Sequence, residues 1–363
     1  MNVTRRLDSM LILSAGVFLL QSPAEAAMPS AAERGAMNVH ESGAAAGEAT
    51  QAQLARAIAA GPSTVAPGAR IIGTDANGKT IVLREGNNGF TCQPGNPKVP
   101  GRPASCANAE ALKWSADLAA GKSAPSNTTA GFVYMLADGA ENGGSSKSGP
   151  QWIITWPFDP EATGLSATKK DTGAYISWAG TPYAHLHIMG QPVGKPSQQL
   201  ASEHASHAGH MPAMGVHDGV TGVPSDEPYD VQIARAISAG PKHVTAGARI
   251  MGTDAQGNKI VLREGTNGFV CRAGSLKIVA DPPQCASTKS KPTIVYMLAG
   301  ATQRSISDPD DKTSPSLAIG PHWMIMMRFD PKTSGIPEVY SDTGAYVMWS
   351  GSRIGHMHIM GIP

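Results

Sequence analysis

The sequence is poor in aromatic residues, in net charge and in long apolar runs. Aromatic residues make up 5% of the 363 positions, whereas glycine and proline number 41 and 28. This balance favours turn-rich β structure over long helices. The formal net charge is +1, so no strong field argues for nucleic acid or an anionic membrane as a partner. A G-x-S-x-G nucleophile elbow is also missing, which argues against hydrolases of that kind.

One apolar run stands near the N-terminus. It covers residues 10–20, follows the basic pair at 5–6 and precedes an Ala-Glu-Ala site at 24–26. It is shorter than the ~20 residues that a membrane span needs, and no cysteine follows the cleavage site. We therefore expect residues 1–26 to be a cleaved signal peptide. The mature protein is then periplasmic or extracellular, with no membrane insertion after cleavage.

Only four cysteines are present, and their spacing recurs. Cys92 and Cys106 are spaced like Cys271 and Cys285, so one disulfide inside each half is the economical choice among three connectivities. Zinc ligation by these thiols is the alternative, and the absence of close C-x-x-C pairs speaks against it.

The second half of the chain repeats the first. We predict repeat units at 51–192 and 229–363, a disordered leader at 27–50 and a flexible linker at 193–228. The expected fold class is α+β: two homologous units, each a mainly antiparallel sheet with a short N-terminal helix and one disulfide. The units are related by a pseudo-twofold axis or joined loosely by the linker.

Turn residues and apolar periodicity divide each unit further. β-branched runs on either side of the Asn-Gly turn at 77–78 predict a hairpin. A third strand at 90–92 is expected to continue this meander. A second helix is predicted at 109–120 in the first unit alone, and the second unit gains a loop that carries Asp308, Asp310 and Asp311.

Each unit ends in a strand-like segment with two histidines, His185 and His187 in the first and His356 and His358 in the second. Side chains of a strand alternate between faces, so the two histidines of a pair share one face. Such a pair supplies two corners of a zinc or copper site. The alternative is that each pair stacks on aromatic neighbours or satisfies backbone carbonyls.

A third histidine distinguishes the units. His322 stands before Trp323, where the first unit has Gln151 before Trp152. If the two strands are neighbours, His322, His356 and His358 form a three-histidine site with an open position.

The linker adds histidines near methionines, a composition that suits copper. Its alternative role is an exposed spacer. The four residues are His204, His207, His210 and His217.

Two Asp-Thr-Gly triplets, at 171–173 and 342–344, resemble the paired signatures of aspartic proteases. In those enzymes two carboxylates share a proton. Here Lys169-Lys170 precedes the first triplet in place of an apolar strand, and each triplet lies late in its unit. A turn before a strand is the simpler interpretation.

Five sequence blocks carry a family resemblance. They are Asn-Gly-Phe-x-Cys, Tyr-Met-Leu-Ala, Gly-Pro-x-Trp, Gly-Ala-Tyr-x-x-Trp and Thr-Pro-Tyr-x-His-Leu. Together they resemble a group of uncharacterised exported bacterial proteins, across both units but not in the signal, leader or linker. The resemblance implies single-unit members, often with methionine where His187 and His358 stand, and it implies no activity.

Three functions remain open from the sequence. The first is a metal-binding protein that uses copper or zinc at His322, His356, His358 and the linker. The second is a metal-dependent enzyme in the second unit, a hydrolase or a copper oxidoreductase. The third is a metal-free module that binds a ligand on its aromatic faces, and an aspartic protease is a further alternative. The sequence names no protein partner.

Overall fold

β-Branched runs between glycine and proline turns fold as short strands in both halves of the chain. The structure, a computed structural model, describes residues 44–363 except 97, 100–101, 138–139, 142–146, 195–225, 276–277, 279–280 and 312. The signal peptide, the leader up to residue 43 and the linker histidines lie outside the described residues.

The described residues of the first unit form three helices, a 3₁₀ turn and ten strands. The helices are α1 Thr50–Ala59, α2 Ala109–Ala119 and α3 Pro160–Thr163, with the 3₁₀ turn at Ala66–Gly68. The strands are β1 Arg70–Thr74, β2 Thr80–Arg84, β3 Phe90–Gln93, β4 Ser105–Asn108, β5 Gly131–Met135, β6 Ala140–Glu141, β7 Lys147–Ser148, β8 Gln151–Thr155, β9 Ala174–Ser177 and β10 His185–Met189.

The second unit has the same plan without the long second helix. Its helices are α4 Tyr229–Ser238, α5 Lys242–Ala246 and α6 Pro331–Ser334. Its strands are β11 Arg249–Thr253, β12 Lys259–Arg263, β13 Phe269–Arg272, β14 Gln284–Ser287, β15 Thr293–Met297, β16 Ala301–Gln303, β17 Leu317–Ile319, β18 His322–Met326, β19 Ala345–Met348 and β20 His356–Met360.

Each unit forms an eight-stranded sheet with the same strand order. The orders are β2-β1-β3-β4-β5-β8-β10-β9 and β12-β11-β13-β14-β15-β18-β20-β19. Pairing is antiparallel except between β1 and β3 and between β11 and β13, which are parallel. The chain is thus mostly β with few helices, and the two units are similar.

The expected meander is wrong at its third strand. β3 pairs with β1 on the side away from β2, so the chain crosses back after the hairpin. The burial of the strands explains this choice. β2 is largely exposed, whereas β3 carries the buried Phe90 and Cys92. Placing β3 inside the sheet buries these apolar side chains and leaves β2 at the edge.

The predicted disulfides are confirmed. Cys92 bonds Cys106 and Cys271 bonds Cys285, and in each pair the two residues face each other on neighbouring strands. Each bond therefore closes a hairpin inside one unit and stabilises it by about 3 kcal/mol on the chain-entropy account.

The segment just before the first helix is held by a side-chain contact. α1 begins at Thr50, the last residue assigned to the leader. Glu48 forms an ion pair with Arg56 in the last turn of α1, and this pair joins the segment before the helix to the helix itself.

The two sheets share one hydrophobic core. A single cluster of buried residues includes Leu186 of β10 and Met357 of β20. Phe132 and Phe329 meet edge to face across it, with ring centroids 5.8 Å apart. Strand alternation then places the histidines of both closing strands on the opposite side of each sheet, here called the outer face.

Reciprocal hydrogen bonds join the units at α3 and α6. The Tyr296 hydroxyl donates to the Thr163 carbonyl at 2.5 Å, and the Tyr134 hydroxyl donates to the Ser334 carbonyl in return. Both carbonyls lie at the ends of helices that lack further intrahelical partners. Gly164, the C-cap of α3, has a φ of 72° and leaves no room for a Cβ beside Val244. Side chains of one unit thus cap the short helix of the other.

We predict that the interface tyrosines stabilise the whole chain. Tyr134→Phe or Tyr296→Phe leaves a buried carbonyl unsatisfied and should lower the free energy of unfolding by about 1–3 kcal/mol. Urea denaturation measures this change. Tyr229→Phe is the control, since Tyr229 is 53% exposed. Equal stability of all three variants would contradict a stabilising role for the hydroxyl groups of Tyr134 and Tyr296.

Candidate functional site

The closing strands lie inside their sheets and not at the edges. β10 pairs with β8 and β9, and β20 pairs with β18 and β19. His322 begins β18, so its strand is a direct neighbour of the last strand. His322 is 0% exposed, and His356 and His358 are each 3% exposed.

The three histidines of the second unit form one cluster. The rings of His322 and His358 stack with centroids 4.8 Å apart. Nε2 of His356 lies 2.9 Å from Nε2 of His358. Nδ1 of His356 contacts the Ile354 carbonyl at 2.7 Å, and Nδ1 of His358 contacts the Tyr346 hydroxyl at 3.0 Å.

For neutral rings these contacts fix the tautomers. A carbonyl only accepts, so His356 donates from Nδ1 and its Nε2 keeps a lone pair. The contact between the two Nε2 atoms then requires His358 to donate from Nε2. Its Nδ1 consequently accepts from Tyr346, whose pKa burial raises well above its ordinary value, so that the hydroxyl stays protonated.

His322 is left with an unsatisfied nitrogen. Its Nδ1 contacts the Gly320 carbonyl at 2.7 Å, so Nε2 carries the lone pair. Within the described part of the chain this buried Nε2 has no hydrogen-bond partner. Leaving a buried acceptor unsatisfied costs about 1–3 kcal/mol.

Burial keeps the rings neutral. It lowers the pKa of His322 to about 4. It lowers the pKa of His358 still further below the ordinary value, and the neighbouring His322 and His356 act in the same direction. Neutral imidazole is the form that binds metal.

The first unit presents a weaker version of the cluster. His185 contacts the Tyr183 carbonyl through Nδ1 at 2.9 Å, and Nδ1 of His187 lies 3.1 Å from Oε1 of Gln151. Tyr175 stacks on His187 with centroids 4.5 Å apart. Both expected alternatives to metal binding, aromatic stacking and carbonyl bonding, are therefore present here, as they are in the second unit.

Different segments cover the two clusters. In the first unit Trp114 of α2 meets His185 edge to face at 5.3 Å. The second unit has no such helix between β14 and β15, and the segment around β16 and β17 supplies Ile306, Leu317 and Ile319 instead. The helix and the longer loop, where the two sequences differ most, thus lie over the histidines.

A tryptophan with a left-handed backbone packs against each closing strand. Trp178 and Trp349 have φ of 52° and 54°, a costly conformation outside glycine. Their rings meet His185 and His356 edge to face at 4.8 and 5.3 Å. The aromatic residues considered as ligand-stacking faces thus pack on the histidines.

Methionines accompany the histidines in the second unit, a pattern that the sequence argument missed. Each histidine has a methionine directly opposite on the neighbouring strand. The pairs are His322 with Met360, His358 with Met324, and His356 with Met348. We call these six residues the His-Met face. Recognising this face from the sequence requires the register of the paired strands, which local sequence patterns do not give.

The remaining motifs lie apart from this cluster. Asp171 and Asp342 are exposed, and their glycines, Gly173 and Gly344, take positive φ in turns, as the turn interpretation expects. Residues 73–80 match the pattern of a phosphate-binding loop, yet they form the turn of a hairpin, with no helix following. Neither arrangement assembles a catalytic group.

Comparison with protein-family models, curated proteins and solved structures finds no significant match for the chain. Among the described residues, no helix has the length and apolarity needed to cross a bilayer. No set of three or more His, Cys, Asp or Glu side chains within those residues is placed to hold a metal ion. Metal binding at the histidines would therefore need the contact between Nε2 of His356 and Nε2 of His358 to open.

We predict that the buried histidines make the metal-free protein acid-sensitive. Burial lowers the pKa of His187 well below its ordinary value. As the pH falls, this imidazole is therefore protonated in the unfolded chain before it is protonated in the folded one. This residue's contribution is present above pH ~6.5 and is lost as the pH falls. For a histidine that stays neutral in the folded state, the free energy of unfolding falls by about 2 kcal/mol by pH 5.

His187→Met tests this prediction with a side chain that suits a packed strand. Urea denaturation in a metal chelator at pH 7.5 and pH 5 should show a smaller loss of stability in the variant than in the native chain. An identical loss in both proteins would mean that His187 does not titrate as its burial implies.

Proposed function

We propose that the protein binds a metal ion in its second unit, through Nε2 of His322, His356 and His358. One observation carries this proposal: the buried Nε2 of His322 has no hydrogen-bond partner within the described residues, beside a cluster whose other two Nε2 atoms are 2.9 Å apart. Two nitrogen ligands of one zinc or copper ion lie about 3 Å apart.

Metal binding would require few changes in the hydrogen bonds of the three histidines. The Nδ1 contacts of His322 and His356 with carbonyls already present Nε2 as the ligand atom. A bonded carbonyl of this kind orients metal-binding histidines in general. Only His358 has to change tautomer, giving its Nε2 proton up and donating from Nδ1 to the Tyr346 oxygen.

Comparison with the first unit supports placing the metal site in the second unit. Gln151 stands at the position that corresponds to His322, and its Oε1 accepts a hydrogen bond from Nδ1 of His187. An amide at this place removes the third imidazole. We therefore assign the metal site to the second unit, with the first as a related packing unit.

The setting proposed for this activity is outside the cytoplasm. Two disulfides and the absence of a spanning helix among the described residues fit an exported protein. The shared strand order and the reciprocal caps support an origin by duplication.

Calorimetric titration of a chain that lacks residues 202–217 tests the proposal without the linker histidines. We expect one zinc or copper ion to bind more tightly than about 10 μM. His322→Gln, which copies the first unit, should weaken binding by at least about tenfold, because it removes one of three ligands.

His185→Gln in the first unit is the matched control and should leave the affinity unchanged. Binding weaker than about 10 μM, or equal binding by the native chain and the His322→Gln variant, would contradict the assignment.

A further inference from the structure

We propose that the metal is copper in its cuprous state, and that methionine sulfur atoms of the His-Met face share its coordination with the histidines. This inference rests on the proposed metal function and names the ion. It follows from the strand register, from burial and from the charge of the donor groups.

The register brings three thioethers beside three imidazoles. Residues directly opposite on antiparallel strands have Cβ atoms about 4.5–5.5 Å apart. Each histidine of the cluster has such a methionine neighbour, in the pairs given above. Long, unbranched methionine side chains can reach across that spacing, so sulfur and nitrogen donors alternate over one face.

This pattern is confined to the second unit. The first-unit residues opposite His187 and His185 are Ile153 and Ser177, where the second unit has Met324 and Met348. Met135 and Met189, both opposite Gln151, are shared as the counterparts of Met297 and Met360, which both lie opposite His322. Met324 and Met348 thus occur in the same unit as the third histidine.

The burial of the donor groups favours an ion of low charge. Met324 and Met348 are 5% and 2% exposed, and the three histidines are as deeply buried. The outer-face residues of β18, β19 and β20 include no carboxylate. All donors are therefore neutral, and the ion keeps its full charge. Because the cost of moving an ion out of water rises steeply with its charge, a monovalent ion is favoured over a divalent one.

The chemistry of the donors points the same way. Thioether sulfur and imidazole nitrogen together suit Cu(I), whereas Zn²⁺ and Cu²⁺ gain less from thioethers. A site of three imidazoles without sulfur would suit zinc equally well. The methionines thus decide between the two metals that the sequence left open.

Cu(I) affinity of a Met324→Leu, Met348→Leu, Met360→Leu variant tests the inference. Leucine keeps the volume and removes only the sulfur. Both chains lack residues 202–217 and compete anaerobically with a chromophoric Cu(I) chelator, and zinc affinity is measured beside them. We expect Cu(I) affinity to fall about 10- to 100-fold and zinc affinity to stay unchanged.

Met135→Leu, Met189→Leu in the first unit is the matched control, and it should bind Cu(I) like the parent. Thermal melting confirms that each variant is folded. Unchanged Cu(I) affinity in the triple variant would overturn this inference, while zinc binding lost in His322→Gln would still support the metal site. Absence of binding by any metal would overturn both.

Discussion

A short contact between a histidine and its own backbone sets the chemistry of both closing strands. In three of the buried histidines, Nδ1 lies 2.7–2.9 Å from the carbonyl two residues earlier; they are His185, His322 and His356. The contact fixes which nitrogen carries the proton and turns Nε2 away from the backbone. The tautomers of His322 and His356, the unsatisfied nitrogen of His322 and the proposed ligand bonds of these two histidines depend on it.

The scaffold explains why such a cluster survives burial. The inner faces of the two sheets make one core, and each unit caps the short helix of the other. This shared stability leaves the outer faces free to differ. Trp114 of α2 closes the outer face of the first unit, whereas a longer loop and its apolar residues cover that of the second. The polar cluster is thus an exception within a well-packed structure.

Local patterns predicted the elements better than their arrangement. Asn-Gly turns located the hairpins, and cysteine spacing located the disulfides, because both effects act over a few residues. The parallel pairing of β3 with β1 was missed because it depends on which strand the core buries. The histidine pairs were found from alternation alone. Their methionine partners were not, since register between distant strands is a tertiary property.

The most direct measurement is the protonation of the ring nitrogens, read from long-range ¹H–¹⁵N NMR spectra of the histidines. Without metal, His322 and His356 should carry the proton on Nδ1 and His358 on Nε2. One equivalent of a diamagnetic ion, Cu(I) or zinc, should move the His358 proton to Nδ1 and shift all three Nε2 resonances. A His358 ring that keeps its Nε2 proton at saturating metal would contradict the proposed site.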